Sequence, residues 1–98
     1  MISVNNPIQT LTVYRHDPAC FDFSTWSEVY GSGAFQLWHR PPGAYVSHKV
    51  DLAVDGSRAV WIPSEDDAAG TGSGHLVYYA DSGAYIRSEL FSLQILER

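Results

Sequence analysis

Residues 65–80 read EDDAAGTGSGHLVYYA, and the fold depends on where in that stretch a loop ends and a strand begins. Glycine occupies every second position from Gly70 to Gly74, and His75 follows. A dinucleotide fingerprint needs G-x-G-x-x-G between a strand and a helix, whereas G-x-G-x-G leading into strand-like residues does not supply one. No lysine followed by serine or threonine completes a phosphate loop, and Glu65, Asp66 and Asp67 would repel a phosphate. Calcium loops place their ligands at alternating positions, while these three acids are adjacent. Small residues rich in glycine and serine make solvated connections. The reading is therefore a mobile loop over 65–74, a plain connection or a lid, with a strand starting at His75.

Downstream, HLVYYA (75–80) meets Asp81-Ser82-Gly83, a hairpin turn, and the tail AYIRSELFSLQILER follows. Phe91, Leu93 and Ile95 alternate with polar neighbours, which favours a strand bent near Leu90. Ile86, Leu90 and Leu93 also fit one face of a helix. Upstream, period-two patterning predicts strands over Ile8–His16, 34–40, 44–54 and 57–63. The intervening turns fall at Asp17-Pro18, Pro41-Pro42-Gly43 and Asp55-Gly56. Thr25 and Glu28 stand three apart as a capping box, and Gly31 closes the segment, so a short helix is expected near residues 25–30. The fold class is mainly β: a single antiparallel meander sheet, curled or barrel- or sandwich-like, forming one domain over 1–98. The alternative is α+β with the C-terminal segment as a packed helix.

Turn lengths set registers, and registers decide which side chains share a face. A three-residue Pro41-Pro42-Gly43 loop pairs Trp38 with Val46 and Gln36 with His48. A two-residue Asp55-Gly56 loop pairs Val54 with Ser57, Leu52 with Ala59 and Val50 with Trp61. One face then carries Gln36, Trp38, His48 and Trp61 among aliphatic residues. That is either a core face with one hydrogen-bonded histidine or a mostly apolar ligand pocket with a few convergent polar groups. The opposite face of this sheet is also far from polar and calls for a covering layer, the helix or a second subunit. A three-residue Asp81-Ser82-Gly83 loop pairs Tyr79 with Tyr85, Val77 with Arg87 and His75 with Glu89. His75, Tyr79, Tyr85, Arg87 and Glu89 form a second, polar face. Its His75–Glu89 pair could serve as an acid–base couple or as an ordinary cross-strand ion pair.

Composition narrows the function classes. Eleven acids against six scattered bases give a net charge of −5, so neither nucleic acid nor an anionic membrane surface is an expected partner. Cys20 is the only cysteine, and with no signal-like N-terminus the expected compartment is cytoplasmic. His16 and Cys20 lack a second pair at zinc spacing, and no nucleophile motif is present. Hence no catalytic residue, metal or cofactor is assigned. Three tryptophans, six tyrosines and four phenylalanines point to a non-enzymatic binding or interaction protein, expected as a homodimer. It would take a small apolar or aromatic ligand or a protein partner. The alternatives are a small acid–base enzyme using His48 or His75–Glu89, and an acidic inhibitor steered to a basic target.

Overall fold

Alternation decides which residues leave water, and here it produces two sheets rather than one. The computed structural model describes residues 2–5, 8–67 and 69–97. Ala68 of the quoted stretch and Arg98 of the tail lie outside them. In chain order the elements are β1 (Ile2–Ser3), β2 (Thr10–Tyr14), β3 (Ala19–Asp22), α1 (Ser24–Tyr30), β4 (Gly33–Arg40), β5 (His48–Asp51), β6 (Ala53–Asp55), β7 (Arg58–Trp61), β8 (Gly70–Ala80), β9 (Tyr85–Arg87) and β10 (Phe91–Leu96). The smaller sheet runs β1-β3-β7-β6. The larger runs β2-β10-β8-β4-β5, with β9 also on β8. Two pairs are parallel, β1 with β3 and β2 with β10. The expected single antiparallel meander is thus replaced by two mixed sheets, neither closed into a barrel.

The sheets share one core. Leu11 and Val13 of β2, Phe35 and Leu37 of β4, Leu76 and Tyr78 of β8, and Phe91, Leu93 and Ile95 of β10 face Phe21, Ala59 and Trp61 of the smaller sheet. Each such large side chain contributes about 1.5–3 kcal/mol when fully buried. An aromatic cluster closes one end. Phe35 packs on Phe21 and Phe23 with centroids 5.8 and 4.9 Å away, and Trp26 of α1 lies 6.0 Å from it. The Tyr78 hydroxyl donates to the Gly31 carbonyl. Helix α1 occupies the expected place, but the Thr25–Glu28 box does not cap it. Asp22 Oδ1 accepts from the Ser24 N–H at 2.9 Å instead, and Gly31, at φ 86°, ends the helix.

Within the expected loop over 65–74, the described residues form a turn and then a strand. Ser64 and Asp67 form a tied turn, with the Ser64 N–H on Asp67 Oδ2 at 2.7 Å and the Asp67 N–H on the Ser64 carbonyl at 3.1 Å. Arg15 donates to the Asp67 carbonyl at 3.0 and 2.6 Å and pairs with Glu97. The glycines then form the first half of β8, opposite Ile95, Leu93 and Phe91. Residues directly opposite share a face, so the glycines turn toward the core. A Cβ on Gly72 would sit 2.2 Å from the Arg40 carbonyl oxygen, and one on Gly70 3.2 Å from Pro42 Cγ. The Arg40–Pro42 segment fills the space that side chains would take. Glycine is required there because backbone approaches backbone.

Three register expectations change for physical reasons. Pro41 and Pro42 have no N–H for a ladder, and Pro41–Ala44 makes its own turn through Ala44 N–H to Pro41 carbonyl (3.1 Å) and Arg40 Nε to Ala44 carbonyl (2.7 Å). Residues 41–47 therefore connect β4 to β5, and Gln36 pairs with Asp51 and Trp38 with Lys49. The segment expected as one strand over 44–54 breaks at buried Leu52, whose N–H still reaches the Phe35 carbonyl at 3.1 Å before the chain crosses to the smaller sheet. The hairpin after it turns one residue later than expected. Gly56, at φ 64°, takes the first central position and Ser57 the second, so Asp55 pairs with Arg58 and Val54 with Ala59. The tail is strand, as preferred, and not a packed helix.

Candidate functional site

The outer face of the larger sheet collects residues from both expected sets. On β4 the side chains of Phe35, Leu37 and His39 point inward, so Ala34, Gln36 and Trp38 point outward. Across β8 the opposite residues are Tyr79, Val77 and His75. Beyond them, on β9, Tyr85 lies opposite Tyr79 and Arg87 opposite Val77, as the Asp81-Ser82-Gly83 turn predicts. On the other side, Asp51 and Lys49 of β5 stand opposite Gln36 and Trp38. Gln36, Trp38, His75, Tyr79, Tyr85 and Arg87 therefore form one continuous surface.

This surface is preorganised. Trp38 and His75 are stacked with centroids 6.0 Å apart and planes within 5°. Tyr79 and Tyr85 meet edge-on at 4.8 Å. Val77 between these pairs is fully covered, while Tyr79 and Tyr85 keep 44% and 52% of their area exposed. Packed against each other, these two tyrosines have less side-chain freedom left to lose than isolated ones would. Gln36 Nε2 donates to Asp51 Oδ1 at 3.0 Å, whereas Gln36 Oε1 and Trp38 Nε1 have no hydrogen-bond partner among the described residues. Burial, and next the Arg87 charge, push the His75 pKa below its ordinary value. A neutral imidazole on Trp38 follows.

Three expected site residues lie elsewhere. Trp61 is buried in the smaller sheet against His39, at a centroid distance of 6.4 Å. It shares no face with Trp38. His48 is exposed at the start of β5 opposite His39, not Gln36. Glu89 is displaced from His75 by a bulge: His75 and Leu76 of β8 face three residues, Ser88, Glu89 and Leu90. At the bulge the Leu76 N–H donates to Ser88 Oγ at 2.8 Å and the Ser88 N–H to the Leu76 carbonyl at 2.9 Å. The acid–base couple expected from a regular ladder does not form.

Glu89 instead rims a cleft of about 260 Å³ lined by Val4, Asn5, Ile8, Trp26, Leu76, Ser88 and Phe91. That volume lies below the roughly 300–1,000 Å³ typical of sites for drug-sized ligands. Trp26 rather than Trp38 or Trp61 is the tryptophan at this cleft, and the bulge that opens it was not in the expected registers. His39 was also missed as a site candidate. It is 3% exposed, and its Nε2 has no hydrogen-bond partner among the described residues. Burial lowers its pKa, the Asp67 charge opposes that shift, and His48 adds to it. Among the described residues no three His, Cys, Asp or Glu side chains gather as a metal site. No helix among them is long and apolar enough to cross a membrane.

Comparison with known proteins adds little to this geometry. No family model and no curated protein matches the sequence. Among solved structures, extracellular domains 3-5 of Drosophila OTK are similar over 94% of this chain and 33% of that one, at 14% identity and a TM-score of 0.38. The chain thus spans about a third of the length of that structure. At such a score the likeness carries no argument about function.

Proposed function

We propose that this protein is a non-enzymatic recognition module that binds a protein partner through the outer face of its larger sheet. The observation that supports this is the convergence of Trp38–His75 and Tyr79–Tyr85 around covered Val77, with the tyrosines half exposed. Interface centres are enriched in tyrosine, tryptophan and arginine, and Arg87 adjoins the tyrosine pair on this face. The His75–Glu89 form of the acid–base alternative has less support, because His75 stands opposite Trp38 and a bulge separates it from Glu89; its His48 form would rest on a histidine exposed at the start of β5. The free thiol of Cys20 keeps a cytosolic site of action as part of this reading.

Native mass spectrometry of gently purified protein provides the test, comparing the unaltered chain with a Tyr79→Ser/Tyr85→Ser variant. Assembly, with any protein, is expected for the first and should be lost in the second while far-UV circular dichroism stays the same. Assembly that persists in the double variant, or its absence from the unaltered chain, refutes the reading.

A further inference from the structure

The cross-strand rows of the outer face have a symmetry that the individual residues do not reveal. One row reads Asp51–Gln36–Val77–Arg87 across β5, β4, β8 and β9. Opposite charges stand at its two ends, with a neutral pair between them. The adjacent row reads Ala34–Tyr79–Tyr85, and its β5 position is empty because the chain leaves the sheet at Leu52. Small residue and empty column lie on one side, two large rings on the other.

A two-fold axis parallel to the strands, placed between β4 and β8, exchanges β5 with β9 and β4 with β8. When two copies face each other about that axis, Asp51 meets the partner subunit's Arg87, and Arg87 meets the partner subunit's Asp51. Gln36 and Val77, both buried, lie beneath the contact. Tyr79 falls over the partner subunit's Ala34, and Tyr85 over the column vacated beside it. The operation therefore matches charge to opposite charge and ring to hollow in the same register. Such self-complementarity is what a two-fold interface requires, and face-to-face sheets align within about 30° in sandwiches. Arg87 makes no salt bridge among the described residues, so its guanidinium is available for this contact.

We infer that the partner of this face is a second copy of the chain, docked about a two-fold axis parallel to β4 and β8 with reciprocal Asp51–Arg87 pairs. The inference rests on the proposed recognition role of the face and adds the occupant and its register. Four strands about 4.8 Å apart and a strand of 8 residues at about 3.3 Å each define a patch of roughly 19 by 26 Å. About 500 Å² per copy is below the roughly 800 Å² of a standard stable interface. The dimer is accordingly concentration-dependent. Each copy has net charge −5, so two copies repel at a distance, and the two local pairs fix orientation rather than speed encounter.

Charge exchange tests the register directly. Sedimentation of the unaltered chain from about 5 to about 500 μM, concentrations chosen to bracket weak association, should show a monomer–dimer equilibrium. Asp51→Arg places arginine opposite arginine, and Arg87→Asp places aspartate opposite aspartate. Each alone should weaken dimerisation at least tenfold. An equimolar mixture of the two single variants should form a heterodimer, because both contacts are again opposite in charge, and the double variant should dimerise with itself. A monomer at every concentration, single variants that dimerise like the unaltered chain, or a mixture that stays monomeric overturns the inference. Failure here is separable from failure of the recognition role. An unaltered monomer that still forms a complex with another protein, lost on Tyr79→Ser/Tyr85→Ser, removes the second copy as partner and leaves the face as a recognition surface.

Discussion

Replacing Gly72 by alanine distinguishes a glycine-rich loop from a glycine-faced strand, because the two readings predict opposite signs. In a flexible connection, Gly→Ala reduces the freedom of the unfolded chain and stabilises by about 0.4–1 kcal/mol. In β8 the new methyl group would lie 2.2 Å from the Arg40 carbonyl oxygen and 3.2 Å from the carbonyl carbons of Arg40 and Pro41. Ordinary carbon–oxygen contacts between strands are about 3.3–3.6 Å, so the backbone must separate by roughly 1 Å. All three atoms belong to main chain, and Gly72 is paired with Leu93 at the centre of the β8–β10 ladder. Neither side can yield cheaply. Overpacking of this kind costs about 2–4 kcal/mol, which lowers Tm by roughly 10–25 °C in a domain this size.

The neighbouring glycines make the argument quantitative. A Cβ on Gly74 meets the Phe91 ring and the Trp38 carbonyl oxygen at 3.2 Å, and the aromatic ring can give by a few tenths of an ångström. Gly74→Ala should cost about 1 kcal/mol or less. Gly70 has φ 122°, where any side chain is strained by about 1–3 kcal/mol. Urea melts of the three variants should therefore order Gly72→Ala as the least stable and Gly74→Ala as the most stable, with m-values unchanged. A Gly72→Ala variant whose midpoint equals or exceeds that of the unaltered chain would refute the packed-strand account.

Further expectations concern the bulge, the buried histidine and the Arg15 tie. Ser88→Ala leaves the Leu76 N–H, in a fully buried residue, without its acceptor, and should cost about 1–3 kcal/mol; unchanged exchange protection of the Leu76 amide would contradict this. His39 has its pKa lowered from 6.5 by burial, so below pH 6.5 the unfolded chain binds the proton first and stability falls as pH drops toward the folded value. His75, also lowered from 6.5, acts in the same direction. His39→Leu should flatten the slope of the urea midpoint between about pH 6.5 and 5, and an identical slope would show that His39 does not titrate as its burial implies. Arg15→Met removes two donors to the Asp67 carbonyl and should lower stability by about 1 kcal/mol, read as an earlier thermal midpoint; no change would mean that the 64–67 turn holds without this tie.

What the sequence shows well is local. The Asp81-Ser82-Gly83 turn is short, with Gly83 at φ 99° and its N–H on the Ala80 carbonyl at 2.9 Å. A turn that tight leaves one register, and Tyr79–Tyr85 and Val77–Arg87 follow from it. Pro41-Pro42-Gly43 looks like an equally strong signal but is the start of a longer connection, because its prolines lie over Gly70 and Gly72. That contact is about thirty residues away in sequence, and no local pattern encodes it. Strand β3 was hidden for a similar reason. Only Ala19 to Asp22 separate a turn from a helix, and Phe21 and Phe23 there are buried by partners from β4 and β8.

The candidate face was half legible, and its missing half had a signal in the tail. Inward residues of β10 are odd-numbered, Phe91, Leu93 and Ile95, whereas Ile86 of β9 packs against the core from an even position. Strict alternation cannot place both on one face. One residue must be extra between them, which requires a bulge within 87–90 and rules out a regular His75–Glu89 pair. Read this way, the apolar parity alone separates the acid–base couple and leaves His75 free to stack on Trp38. The partnership of Trp38 with His75 needed a second fact, that β4 and β8 are neighbours despite three intervening strands. Sequence separation hides such pairings, since every intermediate hairpin is locally self-consistent. The face emerges only when the chain leaves the larger sheet at Leu52 and returns to it at Gly70, so the glycine stretch that resembles a loop is what brings the two halves of the face together.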